Sequence, residues 1–208
     1  VTDSLQLAEL LCARICHDLS GPVGAAAAGA ELFEDMAPAP DPETMALVSG
    51  AASGAVARLK FFRAALGPAA STPQSSVVLT ELIEAYLATQ VSAASPGLVL
   101  SWPAAPTALD GASARLLLNL VLLAKDALPR GGRIAIAQEN ALPRVTAWGE
   151  PASLADEARQ VLVEGRAPAG PRGAQAELAR ILAGRLGARL QVSLTPDGLA
   201  LIAAPSSV

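Results

Sequence analysis

The chain carries one imidazole, His17, in the segment RICHDLSGPVG. An imidazole is mostly neutral at pH 7 and offers one ring nitrogen as a nucleophile, toward phosphorus among other centres. Asp18 follows it directly, and an adjacent carboxylate can hold the ring or take its proton. Arg14 precedes Asp18 by four residues, the spacing of a helical ion pair, and Pro22 lies five residues beyond His17. One histidine does not complete a Cys/His zinc site with Cys12 and Cys16, and two cysteines four residues apart make no disulfide framework. These cysteines are expected to pack as small residues in a reducing, cytoplasmic setting.

A helix must present this histidine. Leu5, Ala8, Leu11, Cys12, Ile15, Leu19 and Val23 recur at three- and four-residue steps, so residues 3–36 are expected to form a long helix. With Ile15 at 0° and about 100° per residue, Leu19 falls at about 40°, Cys12 at about 60° and His17 at about 200°. The ring thus points away from the apolar stripe, with Gln6, Leu10 and Gly21 on the same outer side. Position alone does not separate a functional histidine from a plain solvated one. Gly21-Pro22 breaks the pattern, and a bend is expected there because proline removes a backbone hydrogen bond. Residues 42–66 are expected to form a second helix, with Met45, Val48, Ala52, Ala55 or Val56, Leu59, Phe62 and Leu66 on one face. A short break between two long helices makes an antiparallel hairpin, which needs a second hairpin to cover its flanks. A homodimeric four-helix bundle is the simplest answer, and the small residues from Ala25 to Ala30 suit it.

The segment 67–76 is rich in Gly, Pro, Ser and Thr and marks a domain boundary. Beyond it helices are expected at 80–90, 110–128, 154–164 and 175–186, and strands at 98–102, 133–138, 144–148, 190–194 and 199–203. The fold class is α+β, with a helical hairpin at 1–70 followed by an α/β sandwich at 71–208. The 208 residues include 46 alanines, are 52% hydrophobic and carry a net charge of −4, which excludes a disordered tail. The 15 Lys and Arg residues form no run, so nucleic acid is not an expected partner. No apolar stretch of membrane-spanning length and no signal peptide are expected.

The segment HDLSGPVG resembles the phosphoacceptor box of bacterial sensor histidine kinases, with its His, adjacent acid and Pro five positions on. The hairpin resembles their dimerisation and phosphotransfer hairpin, and residues 77–208 resemble their Bergerat-type ATP-binding domain. The short form ICHDLSGPVGAAAAGAELFED is similar to the alphaproteobacterial histidine phosphotransferases, relatives of the kinase core whose ATP-binding domain has degenerated. The resemblance implies a phosphorelay protein with His17 and Asp18 as its catalytic pair. Its partners would be receiver domains of a hybrid histidine kinase and of response regulators. Gln6, Leu10 and Gly21, on the His17 side of the helix, and Arg14 are candidate docking positions for such a receiver.

The second domain departs from the kinase pattern in three places. In LLLNLVLLAKDAL, Asn119 matches the Asn that opens the metal-binding string, but Leu123 stands where the ligating Asn is expected. Trp148-Gly149-Glu150-Pro151-Ala152 replaces the adenine-gripping Asp-x-Gly-x-Gly loop. PAGPRG, 168–173, replaces the second glycine loop, and its Arg172 is read as part of a surface turn. The chain is therefore expected to bind no ATP and to hold no cofactor or metal, with Mg²⁺ supplied by the partner receiver. Two alternatives stand beside a relay protein. One is a soluble histidine kinase with an altered ATP site, and the other a non-catalytic dimeric scaffold for response regulators. Arg58, Lys60 and Arg63 are expected to be solvated.

Overall fold

Asp41 starts the second helix of the hairpin. Its Oδ1 accepts the N–H groups of Glu43 and Thr44, each at 2.9 Å, and Pro42 takes the first helical position, where no N–H is needed. A computed structural model describes residues 3–35, 41–91, 97–102, 107–139, 141–195 and 197–206. Helix α1 (Ser4–Asp35) and helix α2 (Pro42–Leu66) pack along one another. Gly29 permits their close approach, since a β-carbon there would lie 2.2 Å from Val48 Cγ2. The backbone of α1 remains helical through Gly21 and Pro22, so the expected bend does not interrupt it. Pro38 and Pro40, which are expected to close this helix, lie outside the described residues.

After the linker come β1 (Gln74–Ser75), α3 (Ser76–Ala88), β2 (Leu98–Ser101), β3 (Ala108–Leu109) and α4 (Gly111–Asp126). The chain continues through β4 (Gly132–Glu139), β5 (Leu142–Trp148), α5 (Asp156–Leu162), α6 (Pro171–Arg185), β6 (Ala188–Thr195) and β7 (Gly198–Pro205). The main sheet has the order β2-β4-β5-β7-β6, antiparallel except for the parallel β2–β4 pair. In register, Ile134 opposes Ala147 and Val145 opposes Leu201, all four on the buried face. The sandwich expected from the sequence is present, together with a small β1–β3 ladder that local patterning does not announce.

The core runs from this sheet through α4, whose residues Leu116 to Ala124 are all buried, and on into the hairpin. Phe61 stacks on Tyr86 at 4.1 Å, and Phe62 meets Tyr86 edge-on at 5.8 Å. The end of α2 is thereby part of the sandwich core. Its terminal carbonyls have no partner within the helix. Arg115 Nη2 donates to Leu66 O at 3.0 Å, and Asn119 Nδ2 donates to Ala65 O at 2.7 Å. Two α4 side chains thus cap a helix of the hairpin.

The flanks of the hairpin are less covered. Leu5 and Val23 of α1 and Met45, Leu47, Val56 and Leu59 of α2 are exposed, and so are Cys12 and Cys16, contrary to the packed role expected of them. Among the described residues α2 also has the length and mean hydropathy, 1.2, of a membrane-crossing segment, which corrects the expectation that no such stretch exists. Its apolarity has two local explanations: Phe61, Phe62 and Ala65 enter the core, and Val56 and Leu59 line an open groove.

Candidate functional site

His17 stands on the outer side of α1 with its side chain 88% exposed, as helical periodicity requires. Its Nδ1 lies 3.1 Å from Asp18 Oδ1. A carboxylate accepts and does not donate, so this contact places the proton on Nδ1 and leaves the Nε2 lone pair free toward solvent. Gln6 and Gly21 are exposed, and Leu10 is half-buried.

Arg14 departs from its expected docking role. It is buried, and its Nη2 lies 2.7 Å from Asp126 Oδ2 at the end of α4. The helix explains this placement: Arg14 and Asp18 sit between the histidine side and the apolar stripe, on the flank that meets the sandwich. The anticipated Arg14–Asp18 pair is present but longer, at 3.8 Å. Burial disfavours the guanidinium charge, yet Asp126 chiefly, with smaller effects from Tyr86 and Asp18, holds the Arg14 pKa above its usual value. Tyr86, buried beside this pair, has its hydroxyl pKa pushed up, mainly by loss of water.

Arg58 is not solvated either. Its Nη1 donates to the backbone carbonyl of Asp18 at 2.6 Å, its Nη2 to Thr89 O at 2.7 Å and its Nε to Thr89 Oγ1 at 3.0 Å. Asp18 is therefore a junction. Its carboxylate faces His17 and Arg14, and its carbonyl is held from α2.

A second region, remote in sequence, holds the residues that the sequence set against the kinase pattern. Asn119 is fully buried, and its amide is committed to Ala65 O, Arg115 O and Gln175. Leu123 is buried in the core. The PAGPRG segment leads into α6 instead of forming a free surface turn. Glu157 Oε2 accepts the N–H groups of Arg172 and Gly173, at 3.0 and 3.1 Å, at the start of that helix. A helix N-terminus attracts anions, and here the chain's own carboxylate occupies it. Gly170 makes room, since a β-carbon there would lie 2.6 Å from the Glu157 oxygens. Among the described residues no group of three or more His, Cys, Asp or Glu side chains is placed to hold a metal ion.

Residues 80–198 match the family described as histidine phosphotransferase C-terminal domain. The chain belongs to this histidine phosphotransferase family. It is 37% identical over 142 residues to Protein phosphotransferase ChpT of Brucella abortus (strain 2308), an alignment covering 65% of this chain and 62% of that relative. The chain thus matches somewhat under two thirds of the curated relative's length. A solved structure, the 1.7 Å structure of a bacterial phosphotransferase, superposes with a TM-score of 0.79 at 28% identity, covering 98% of each chain. The matched C-terminal domain begins within α3, so the family match does not include His17, and the surroundings of His17 rest on their own geometry.

Three residues stand out only in the structure. Arg58 and Asp126 act on partners 40 and 112 positions away, and no local pattern announces such pairs. Glu157 lies on a helix of weak periodicity, and only the fold brings it to the start of α6.

Proposed function

We propose that His17 accepts a phosphoryl group from a receiver-domain phospho-aspartate and passes it to the aspartate of another receiver. The observation that carries this reading is the 3.1 Å contact between His17 Nδ1 and Asp18 Oδ1 on a ring that is 88% exposed. The Nε2 lone pair attacks phosphorus in line, the N–P bond forms, and the P–O bond to the donor carboxylate breaks. The proton stays on Nδ1, where Asp18 stabilises the positive charge that develops on the ring. Transfer onward reverses these bonds on a second receiver. The receiver brings Mg²⁺ to neutralise the moving phosphoryl oxygens. Gln6, Leu10 and Gly21 then form part of the docking face.

The chain is read as two domains, a hairpin at 1–70 and a sandwich at 71–208, although the α2 terminus is built into the sandwich core. Two hairpins are proposed to pair into a four-helix bundle. The support is the apolar groove of about 450 Å³ lined by Ile15, Val56, Leu59, Phe62 and Leu66, together with the exposed Leu5 and Val23 of α1. Neither Leu123 nor the carboxylate-filled α6 terminus suits Mg-ATP, which favours a relay protein over a soluble kinase.

Incubation with phosphorylated receiver domains tests the assignment. Wild type is expected to gain an acid-labile phosphohistidine and His17→Ala none. Labelling that persists in His17→Ala overturns it, because the chain has no other histidine. Labelling from ATP alone would favour the kinase alternative, and receiver binding without labelling the scaffold.

A further inference from the structure

Pro22 sits inside α1, four residues after Asp18. In an α-helix the N–H of residue 22 would donate to the carbonyl of residue 18. Proline has no N–H, and its ring pushes against that same carbonyl. The Asp18 carbonyl is therefore deprived of its helical donor one residue after His17. Arg58 fills this position from the neighbouring helix, with Nη1 2.6 Å from Asp18 O.

The rest of the guanidinium is anchored. Its Nη2 and Nε hold Thr89, the C-terminal cap of α3, whose Oγ1 in turn donates to Tyr86 O at 2.7 Å. A cation at the C-terminus of α3 also meets the negative end of that helix. One side chain of α2 thus fastens the weak turn of α1 to a helix terminus of the second domain.

We propose that Arg58 is a positioning residue for transfer at His17, supplying the hydrogen bond that Pro22 withholds. This deepens the reading of His17 as the phosphoacceptor and rests on it. Arg58 touches neither the ring nor the phosphoryl group. It acts by fixing the 18–22 turn, and with it the height and direction from which Nε2 meets phosphorus. In-line transfer is sensitive to such placement.

A four-protein cycle tests it: wild type, Arg58→Ala, Pro22→Ala and the double variant, each assayed with phosphorylated receiver over a range of concentrations. Arg58→Ala is expected to lower the maximal transfer rate about tenfold and to leave the half-saturating receiver concentration within about twofold. In the Pro22→Ala background the backbone supplies its own donor, so the cost of losing Arg58 is expected to fall to about threefold or less. Arg58→Lys, which keeps one donor, is expected to recover part of the rate, and it carries the cycle if the alanine variant does not fold. An equal cost in both backgrounds overturns the proposal. So does a raised half-saturating concentration at unchanged maximal rate, which would make Arg58 a receiver contact. Thermal melts of the same proteins separate this inference from the assignment of His17. If wild type takes up no phosphate, that assignment fails, while a smaller loss of melting temperature in the Pro22→Ala background still supports the Arg58–Asp18 link and an equal loss removes it.

Discussion

Arg14 of the hairpin and Asp126 of the sandwich face one another at 2.7 Å, with side chains only 5% and 8% exposed. The same Asp126 accepts from Lys125 through Oδ1 at 3.2 Å, so its two oxygens are divided between the hairpin and α4. The pair fixes the helix that carries His17 to the end of the core helix α4.

Breaking that pair from one side leaves a buried charge alone. Arg14→Met is expected to lower the unfolding free energy by about 3 kcal/mol in urea denaturation. Arg14→Met/Asp126→Leu is expected to lose less than Arg14→Met by itself, since no lone charge remains. Simple additivity of the two single losses would show that the pair is not coupled.

Asp18→Asn tests the tautomer argument. An amide both donates and accepts, so it no longer imposes the proton on Nδ1. Phosphoryl uptake is expected to slow about tenfold without stopping, because the receiver still brings its own Mg²⁺ and acids. The expected order of labelling is wild type, then Asp18→Asn, then His17→Ala at zero. His17→Ala is expected to unfold within about 0.5 kcal/mol of wild type, since an exposed ring contributes no core packing.

The apolar strip on the hairpin gives a mass prediction. Light scattering at micromolar concentration is expected to give twice the 20.9 kDa of one chain, and Leu59→Glu is expected to shift the population toward single chains by placing a charge in the groove. A single-chain mass for wild type would remove the bundle.

For nucleotide, calorimetric titration with Mg-ATP is expected to show no binding at micromolar concentrations. Glu157→Ala is expected to cost about 1 kcal/mol of stability through the lost cap on α6. It is not expected to create nucleotide binding, because Leu123 still offers Mg²⁺ no oxygen. Heat of binding in wild type would contradict this.

Asp110 caps α4, accepting the N–H groups of Ala112 at 2.9 Å and Ser113 at 3.0 Å. Partial burial raises its pKa, but the hydrogen bonds from Ser113 and Ala112 outweigh this and leave the carboxyl below its ordinary value of 3.8. A depressed folded pKa gives stability that is complete above the unfolded value and is lost as pH falls through the folded one. Asp110→Ala is expected to cost about 1 kcal/mol at pH 7. The gap to wild type is expected to narrow below about pH 4, as read from denaturation curves at stepped pH. A gap independent of pH would rule out an ionised cap.

The amino-acid pattern determined what depends on near neighbours. The α2 bounds, 42–66, follow from the Asp41-Pro42 start and the Gly67-Pro68 stop. The strand and helix positions of the second domain also match the expected ones closely, because periodicity is set within a few residues. The outward direction of His17 is of the same kind, since a helix fixes a side chain's direction from its place in the turn. The departures from the kinase pattern at Leu123 and at 148–152 are equally visible, because they are a matter of which residue types are present.

What tertiary structure decided was the partners. In the sequence Arg14 offers a pair with Asp18 or a docking contact and Arg58 a solvated cation, and only the fold brings them to Asp126 and to the Asp18 carbonyl. Asn119 looks like the remnant of a metal site, and packing turns it into a cap for α2. Glu157 is an ordinary helix acid until α6 begins against it. Each of these contacts joins residues from different elements. Local pattern sets which way a side chain points, whereas the group it meets depends on how separate elements pack into a shared core.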